Sequence, residues 1–202
     1  MAILLLNISA PMQSWGTELK LKDHPTDNYP SKSGIIGMIA SAEGRSREED
    51  ISDLASLKMA VRIDHEGTLA LDYQTACIRK NVCDRDIKDK DRYLGHRYLL
   101  CDAKFMVAIE GAEDQLNDIA YNLRHPANAL FLGRRGFPVN SDLVAGVFDE
   151  EINNSLHGHG YKDGMMIVEE TEEQGDRMVK DQPVSYDYRK RQWKYRMIRI
   201  HS

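Results

Sequence analysis

The apolar run at the start of the chain is the sequence feature that most constrains the fold. Ile3 to Ile8 is short and β-compatible, and Gly34, Gly37 and Ala40 then recur at helical spacing. The chain therefore passes from a first strand to a helix whose first residues are rich in Ser and Lys. Unpaired backbone N–H groups at such a helix start attract phosphate, so we expect an anion-binding site there. The alternative is a Ser N-cap, with glycines that let the helix lie close on a sheet.

Alternation of apolar and polar residues predicts further strands. Lys58 to Asp64 has the period-two pattern of a half-buried strand, and Leu69 to Tyr73 continues the pattern after a turn. Phe105 to Ile109 repeats it. Glu113 to Leu123 has its apolar residues at helical spacing instead, which predicts an amphipathic helix. Leu130 to Leu132 is predicted to begin the next strand.

The order of these elements predicts an α+β fold. Strand, helix, strand pair with an insertion, helix and strand is the split βαβ, ferredoxin-like or RRM-like arrangement of many RNA-binding modules. We predict such a domain over residues 1–139, and a small β-rich C-terminal region over 140–202. The insertion at about 77–97 alternates Lys/Arg with Asp and has too few apolar residues to fold on its own, so it must project or be ordered by a partner. In the C-terminal region we expect a polar, irregular stretch at 155–160 and strands at 165–168 and 193–200.

Charge is distributed unevenly along the chain. The formal net charge of -5 argues mildly against a general nucleic-acid binder. Tyr186 to Ser202 carries about +5, however, so the preceding residues sum to about -10. Basic residues alternate with aromatic ones in this tail, which suits either a stacking and phosphate-binding surface or a plain strand with basic outer residues. The basic residues are Arg189, Lys190, Arg191, Lys194, Arg196 and Arg199.

Composition also argues against several classes of protein. No apolar run approaches the roughly 18 residues needed to span a bilayer, and no basic leader or cleavage site precedes the first strand. We therefore expect a cytoplasmic protein that does not bind membranes. Cys77, Cys83 and Cys101 form no C-x-x-C pair and have no nearby histidine at zinc-site spacing. We interpret them as reduced thiols, and we expect neither a metal nor a cofactor.

A glycine-rich loop is a second candidate for binding an anion. Arg134 and Arg135 lie between Gly133 and Gly136 just after a predicted strand. Bidentate contact to a phosphate is one interpretation, and an ordinary glycine turn with solvated arginines is the other. The segment Ser31 to Ser33 at the helix start is not a P-loop, because the Gly-x-x-x-x-Gly-Lys-Ser/Thr spacing is absent.

A short polar segment follows the first strand and carries one aromatic residue. The side chains of Gln13 and Ser14 can hydrogen-bond base edges or ribose hydroxyls of a single strand, or they can cap the end of the strand. Trp15 either fills the core against the sheet or stacks on an unpaired base.

Three segments, in this order, resemble the CasD family of the RAMP superfamily: Met12 to Gly16, Pro30 to Gly37 and Leu132 to Pro138. Order and spacing match over nearly the whole chain. Members of that family hold the 5′ handle of the crRNA in the type I-E CRISPR Cascade, a complex of antiviral defence. The resemblance implies that the insertion is the family's thumb, a β-hairpin that reaches over the crRNA. The RNA-binding residues that it implies are Gln13, Ser14, Trp15, Ser31, Lys32, Ser33, Arg79, Lys80, Arg92, Arg97, Gly133, Arg134 and Arg135.

The resemblance further implies a non-catalytic clamp. In that arrangement a separate subunit cuts the precursor, while this chain contacts the backbone and large subunits and meets target DNA only through the complex. Relatives of the type I-C branch cut precursor crRNA with Tyr, Lys and His, so a metal-independent endoribonuclease is the alternative. Its nearest candidates here are Tyr93, His96 and Lys104, yet nothing assembles a triad or carboxylate pair at a defensible spacing. A purely structural linker between the large and backbone subunits is the third interpretation.

Overall fold

A computed structural model describes residues 1–16, 23–77, 92–160, 162, 165–172 and 174–202 of the chain, and at 76–77 and 92–93 it describes the backbone alone. The described residues form eleven strands and four helices. The strands are β1 (Ala2–Ser9), β2 (Met12–Gln13), β3 (Asp23–His24), β4 (Lys58–His65), β5 (Thr68–Cys77), β6 (Arg92–Cys101), β7 (Lys104–Gly111), β8 (Val144–Phe148), β9 (Met166–Thr171), β10 (Arg177–Ser185) and β11 (Gln192–His201). The helices are α1 (Lys32–Ala42), α2 (Ser52–Ala55), α3 (Glu113–Arg124) and α4 (Ile152–Gly158).

Seven of the strands form one antiparallel sheet in the order β10-β11-β9-β4-β7-β1-β8. The first strand is apolar from Ala2 to Leu6 because both of its faces are buried there. Leu4 and Leu6 join the larger core cluster, together with apolar residues of α1 and α3. Ile3 and Leu5 join a smaller cluster on the opposite face, which includes Leu156 of α4. The chain is therefore a mixed α+β protein with helices on both faces of this sheet.

A second, smaller sheet is built on the hairpin of β5 and β6. The two strands pair over ten residues, from Thr68 opposite Cys101 to Cys77 opposite Arg92. The other edge of β6 pairs with β2 in antiparallel fashion near its end and with β3 in parallel fashion nearer its start. Residues 92–97, which the sequence assigned to an insertion without a core of its own, are thus part of a regular strand. Residues 78–91 lie outside the described part of the chain.

A buried arginine holds α4 in place. Arg62 of β4 is 1% exposed and donates to the backbone carbonyl oxygens of Leu156 and, at 2.7 Å, His159. Its Nε also donates to Asp64 at 2.6 Å. A guanidinium at the C-terminal end of a helix satisfies carbonyl groups that have no partner within the helix. The polar stretch at 155–160 was predicted to be irregular, but its residues 155–158 belong to α4.

The periodic segments were predicted correctly, and one strand was not. The alternating segments at 58–64, 69–73 and 105–109 lie in β4, β5 and β7, and the helix predicted at 113–123 is α3. The strand predicted to begin at Leu130 was wrong, because Phe131 makes only an isolated bridge to Pro138 and the next strand is β8. The N–H of Leu132 donates to the carbonyl of Phe137 at 2.8 Å, so this backbone folds back on itself.

The C-terminal strands extend the same seven-stranded sheet. β9 pairs with β4, β11 pairs with β9, and β10 forms the outer edge. The strands predicted at 165–168 and 193–200 correspond to β9 and β11. Within the described residues, no helix has the length and apolar character needed to cross a membrane.

Candidate nucleic-acid interface

The glycine-rich loop and the segment after β1 are in direct contact. Gly133 has φ +84°, and a Cβ atom there would lie 1.7 Å from the backbone oxygen of Ser14. The N–H of Ser14 donates to the carbonyl of Leu132 at 3.2 Å. Only glycine combines this positive φ with so close an approach of two backbones. Ser14 and Gly133, which lie 119 positions apart in two segments singled out from the sequence, are therefore neighbours in the fold.

Both segments meet β6 at the backbone carbonyl of Tyr98. Nη2 of Arg134 donates to this oxygen at 3.1 Å, and the hydroxyl of Ser14 donates to it at 3.4 Å. β2 pairs with β6 at Leu100 and Cys101, and β3 pairs with it at His96 and Arg97. Tyr98 lies between these two short pairings, so the side chains of Arg134 and Ser14 occupy the remaining gap along this edge of β6.

Three arginines belong to this region, and we call Arg97, Arg134 and Arg135 the arginine cluster. Arg97 and Arg135 are exposed, whereas Arg134 is partly buried. Burial lowers the pKa of Arg134, and the charge of Arg97 lowers it further. The carboxylate of Asp72, which lies opposite Arg97 in the register of β5 and β6, acts in the opposite direction. Arg97 and Arg134 are thus close enough for the charge of one to affect the other, and contact of these arginines with a phosphate stays a prediction.

Gln13 and Trp15 are buried and bonded to each other. The indole N–H of Trp15 donates to Oε1 of Gln13 at 3.1 Å, and Nε2 of Gln13 donates to the carbonyl of Ala103 at 2.7 Å. Gln13 is 0% exposed and Trp15 is 2% exposed. The hypothesis that Trp15 stacks on a base and Gln13 reads one does not fit this arrangement, because both side chains already face partners inside the protein. Of the alternatives considered from the sequence, the core role of Trp15 is the one observed.

The start of α1 is capped by residues of this chain. The side chain of Ser31 accepts a hydrogen bond from the N–H of Gly34 at 3.3 Å, which confirms the N-cap interpretation. The N–H of Lys32 donates to Oδ2 of Asp181 at 2.8 Å. The sequence-based hypothesis placed an external anion at this helix start, and the structure instead places the Asp181 carboxylate there. Ser33 contributes its backbone carbonyl, which accepts the hydroxyl hydrogen of Tyr186 at 2.5 Å.

The ammonium group of Lys32 is likewise paired inside the protein. Lys32 is 1% exposed, and its Nζ lies 2.8 Å from a carboxylate oxygen of Glu170 on β9. Arg196 of β11 donates from Nε to Asp181 at 2.6 Å. Burial lowers the pKa of Lys32, and Glu170 acts against that shift. We call Lys32, Glu170, Asp181 and Arg196 the ionic network. The sequence did not indicate Glu170 and Asp181 as partners of Lys32, because no local pattern links residues that are 138 and 149 positions apart.

The remaining predicted thumb residues are only partly described. Arg92 begins β6, where only the backbone is described. Arg79 and Lys80 lie outside the described residues, so their proposed contact with RNA stays a prediction.

One histidine on β6 has an acidic partner that the sequence did not indicate. Nδ1 of His96 lies 2.9 Å from Oδ1 of Asp23 on β3, and the ring of Tyr73 is 5.6 Å from the imidazole, centroid to centroid. A carboxylate in this position orients an imidazole, as in a general acid–base pair. Lys104, the other described candidate, lies exposed at the start of β7. Among the described residues, no three His, Cys, Asp or Glu side chains group closely enough to hold a metal ion.

The sequence profile of one protein family covers almost the whole chain. The family of CRISPR-associated Cas5 proteins matches residues 3–201. The CRISPR system Cascade subunit CasD of Escherichia coli (strain K12) is 29% identical over 157 residues, which cover 71% of this chain and 70% of that protein. The chain is thus homologous to a Cascade subunit.

Solved structures give the same result at the level of the fold. A chain of a CRISPR RNA-guided surveillance complex matches with a TM-score of 0.81 and 29% sequence identity, covering 98% of this chain and 89% of that one. A crystal structure of a Cas protein matches with a TM-score of 0.76 and 33% identity, covering 98% of this chain and 93% of that one. The profile match and these two structures agree along nearly the full length, and the chain belongs to the CRISPR-associated Cas5 protein family.

Proposed function

We propose that this chain is a non-catalytic subunit of a type I-E CRISPR surveillance complex, where it binds the 5′ handle of the crRNA. Its homology to a Cascade subunit supports a place in a multi-subunit complex. In this proposal it contacts the backbone and large subunits and meets target DNA only through the assembly. Specificity for the target comes from guide pairing, and this chain recognises the handle.

The contact between Gly133 and Ser14 is the observation that carries the proposal. It holds Arg134 beside Tyr98, and it brings the loop to the base of the hairpin on which Arg97 is exposed. The bond to Tyr98 uses one of the five N–H donors of the Arg134 guanidinium, so the group can still face a phosphate. Phosphates bound by the arginine cluster would position the handle, and contacts to bases or ribose would add selectivity.

The fold supports the same assignment. We propose that β1, α1, β4, β7, α3 and β8 form a ferredoxin-like unit, because their strands lie in the order β4-β7-β1-β8. The hairpin of β5 and β6 would be the thumb. It exposes apolar side chains on one face, which suits contact with a neighbouring subunit: Leu69, Leu71, Tyr73 and Leu94.

The predicted domain boundary at residue 139 separates β8 from its partner β1, so we place the end of the ferredoxin-like unit after Phe148.

The salt dependence of RNA binding tests the role of the cluster. Replacing Arg134→Ala together with Arg135→Ala should weaken binding of a handle RNA and reduce the slope of log affinity against log salt by about one to two units, if each arginine neutralises one phosphate. The matched control is Arg47→Ala with Arg124→Ala, two exposed arginines on other elements. Unchanged affinity and slope in the first variant, with complex assembly intact, would favour a purely structural linker.

A ribonuclease remains the second candidate, favoured by the hydrogen bond between His96 and Asp23. Incubation of the purified chain with precursor crRNA in EDTA separates the two functions. Specific cleavage within the repeat, lost in His96→Ala and reduced in Asp23→Asn but retained in His125→Ala, would establish the enzyme. Intact RNA bound by the chain supports the clamp.

A further inference from the structure

A polar pocket of about 180 Å³ lies between the residues that precede α1 and the edge strand β10. None of its lining residues belongs to the arginine cluster. The lining side chains that bear on its chemistry are Asp27, Tyr29, Arg177, Met178, Lys180 and Tyr195. The pocket therefore combines two cations and two phenol rings with two carboxylates, those of Asp27 and Asp181.

Aromatic and cationic groups are adjacent in this pocket. Nζ of Lys180 lies 5.7 Å from the centroid of the Tyr195 ring. Tyr195 is 60% exposed and the neighbouring Met178 is 59% exposed, although both lie on a regular part of the sheet. Large apolar surfaces left open beside lysine and arginine are the chemistry by which proteins hold single-stranded nucleic acids, with bases stacked on rings and phosphates on cations.

The charge around the pocket favours an anionic ligand. Asp181, which also reaches the lining, is already paired with Arg196 and with the N–H of Lys32. The cations Arg177 and Lys180 therefore outnumber the one further carboxylate, that of Asp27. The phenol hydroxyl of Tyr29 is protonated at neutral pH and can donate a hydrogen bond, and burial raises its pKa further.

We propose that this pocket binds one nucleotide of a single-stranded nucleic acid, with the base against Tyr195 and Met178 and the phosphate on Arg177 and Lys180. The site is separate from the arginine cluster and adds a second contact beyond the handle-binding role proposed above. An acidic protein segment would use the two cations, but it would leave the exposed ring of Tyr195 without a partner. The combination of groups therefore favours a nucleotide over an acidic peptide.

Binding to short oligonucleotides tests this site. The protein carrying Arg134→Ala and Arg135→Ala serves as the background, so that the arginine cluster does not mask the pocket. A fluorescent ten-nucleotide RNA that lacks the handle sequence and a DNA of the same sequence are the probes. In this background Tyr195→Ala should lower the affinity at least about fivefold, the effect of losing one stacked base. Arg177→Ala with Lys180→Ala should reduce the salt slope by about 0.7 units, since one phosphate contact on a single strand contributes that much.

Matched controls separate the site from a general loss of charge or fold. Tyr121→Ala removes a tyrosine of similar exposure from α3, and Arg47→Ala with Lys58→Ala removes two exposed cations elsewhere. Thermal melts verify that each variant is folded. Photocrosslinking of a 5-iodouracil oligonucleotide to Tyr195 supports the site independently.

Each outcome of the binding experiments either supports or overturns the proposal. Loss of affinity for RNA alone indicates that the 2′-hydroxyl is read, and equal loss for RNA and DNA indicates that base and phosphate suffice; both support the pocket. Equal effects of the pocket and control variants overturn the proposal. So does a poly-glutamate peptide that binds through Arg177 and Lys180 while neither oligonucleotide responds to Tyr195→Ala.

Discussion

Gly133 and Ser14 approach so closely that a single methyl group on Gly133 would lie 1.7 Å from the carbonyl oxygen of Ser14. The contact joins the loop after α3 to the segment after β1. It also determines where Arg134 lies, because the same loop delivers its guanidinium to Tyr98. The position of the arginine cluster therefore depends on a residue without a side chain.

Gly133→Ala should destabilise the protein and displace the loop. The substitution forces a positive φ on alanine, which costs on the order of 1–3 kcal/mol, and the overlap with Ser14 adds to that cost. Chemical denaturation measures the change in the free energy of unfolding. Gly136→Ala is the control, since a Cβ atom there would meet nothing within 4 Å. Equal effects of the two substitutions would contradict the close approach described for Gly133.

Asp181→Asn should destabilise the protein by up to about 3 to 5 kcal/mol, because it removes the carboxylate to which the buried guanidinium of Arg196 donates and leaves Glu170, 3.8 Å away, as its remaining acidic partner. The amide of Asn also serves the N–H of Lys32 less well than a carboxylate does. Denaturation by urea measures the effect, with Asp149→Asn at an exposed loop position as the control. A loss below about 1 kcal/mol would mean that the ionic network contributes little to stability.

Tryptophan fluorescence tests whether Trp15 stays in the core. Trp193→Phe leaves Trp15 as the single tryptophan of the chain. Because Trp15 is 2% exposed and donates to Gln13, we expect short-wavelength emission and weak quenching by acrylamide, both unchanged when handle RNA is added. Strong quenching by RNA would show instead that the ring leaves the core and stacks on a base.

The ion pair of Arg45 and Asp53 should make the free energy of unfolding fall at low pH. Arg45 donates to both carboxylate oxygens of Asp53, at 2.7 and 2.6 Å, and holds the pKa of Asp53 below its usual 3.8. The folded pKa lies below the unfolded one, so this stabilisation is complete above about pH 5 and is lost as the pH falls through the folded pKa. In Arg45→Met, carboxyl NMR titration should give a higher pKa for Asp53. Lys104→Met removes an exposed positive charge at the opposite end of β4, where Lys104 pairs with His65, and should leave that pKa unchanged.

Local patterns were sufficient for most of the secondary structure. The alternation at 58–64 and the helical spacing at 113–123 predict β4 and α3, since each pattern reflects which side of one element is buried. The strand predicted to begin at Leu130 was wrong because a short apolar segment can also be buried as a loop. Leu130 and Leu132 are in the core, yet the backbone between them makes a turn with Phe137 in place of a sheet ladder.

For the candidate site, too, the sequence was sufficient for some residues and not for others. The glycine and arginine residues of the loop at 133–135 were recognisable, since their types match the chemistry of phosphate binding. The roles of Gln13 and Lys32 were not, and for Trp15 the sequence left a core role and base stacking both open. Each of these side chains finds a partner that the local sequence cannot reveal: the amide of Gln13 meets Ala103, and the ammonium of Lys32 meets Glu170.

By itself the sequence determined the periodic elements β4, β5, β7 and α3 and the family to which the chain belongs, and it offered a Ser N-cap as one of two interpretations of the start of α1. Only the tertiary structure decided that the helix start holds the carboxylate of Asp181 instead of an external phosphate, and that Gly133 brings Arg134 to the hairpin. The physical reason is distance along the chain. Periodicity and capping arise among neighbouring residues, whereas burial of a charge is decided by a partner 149 positions away.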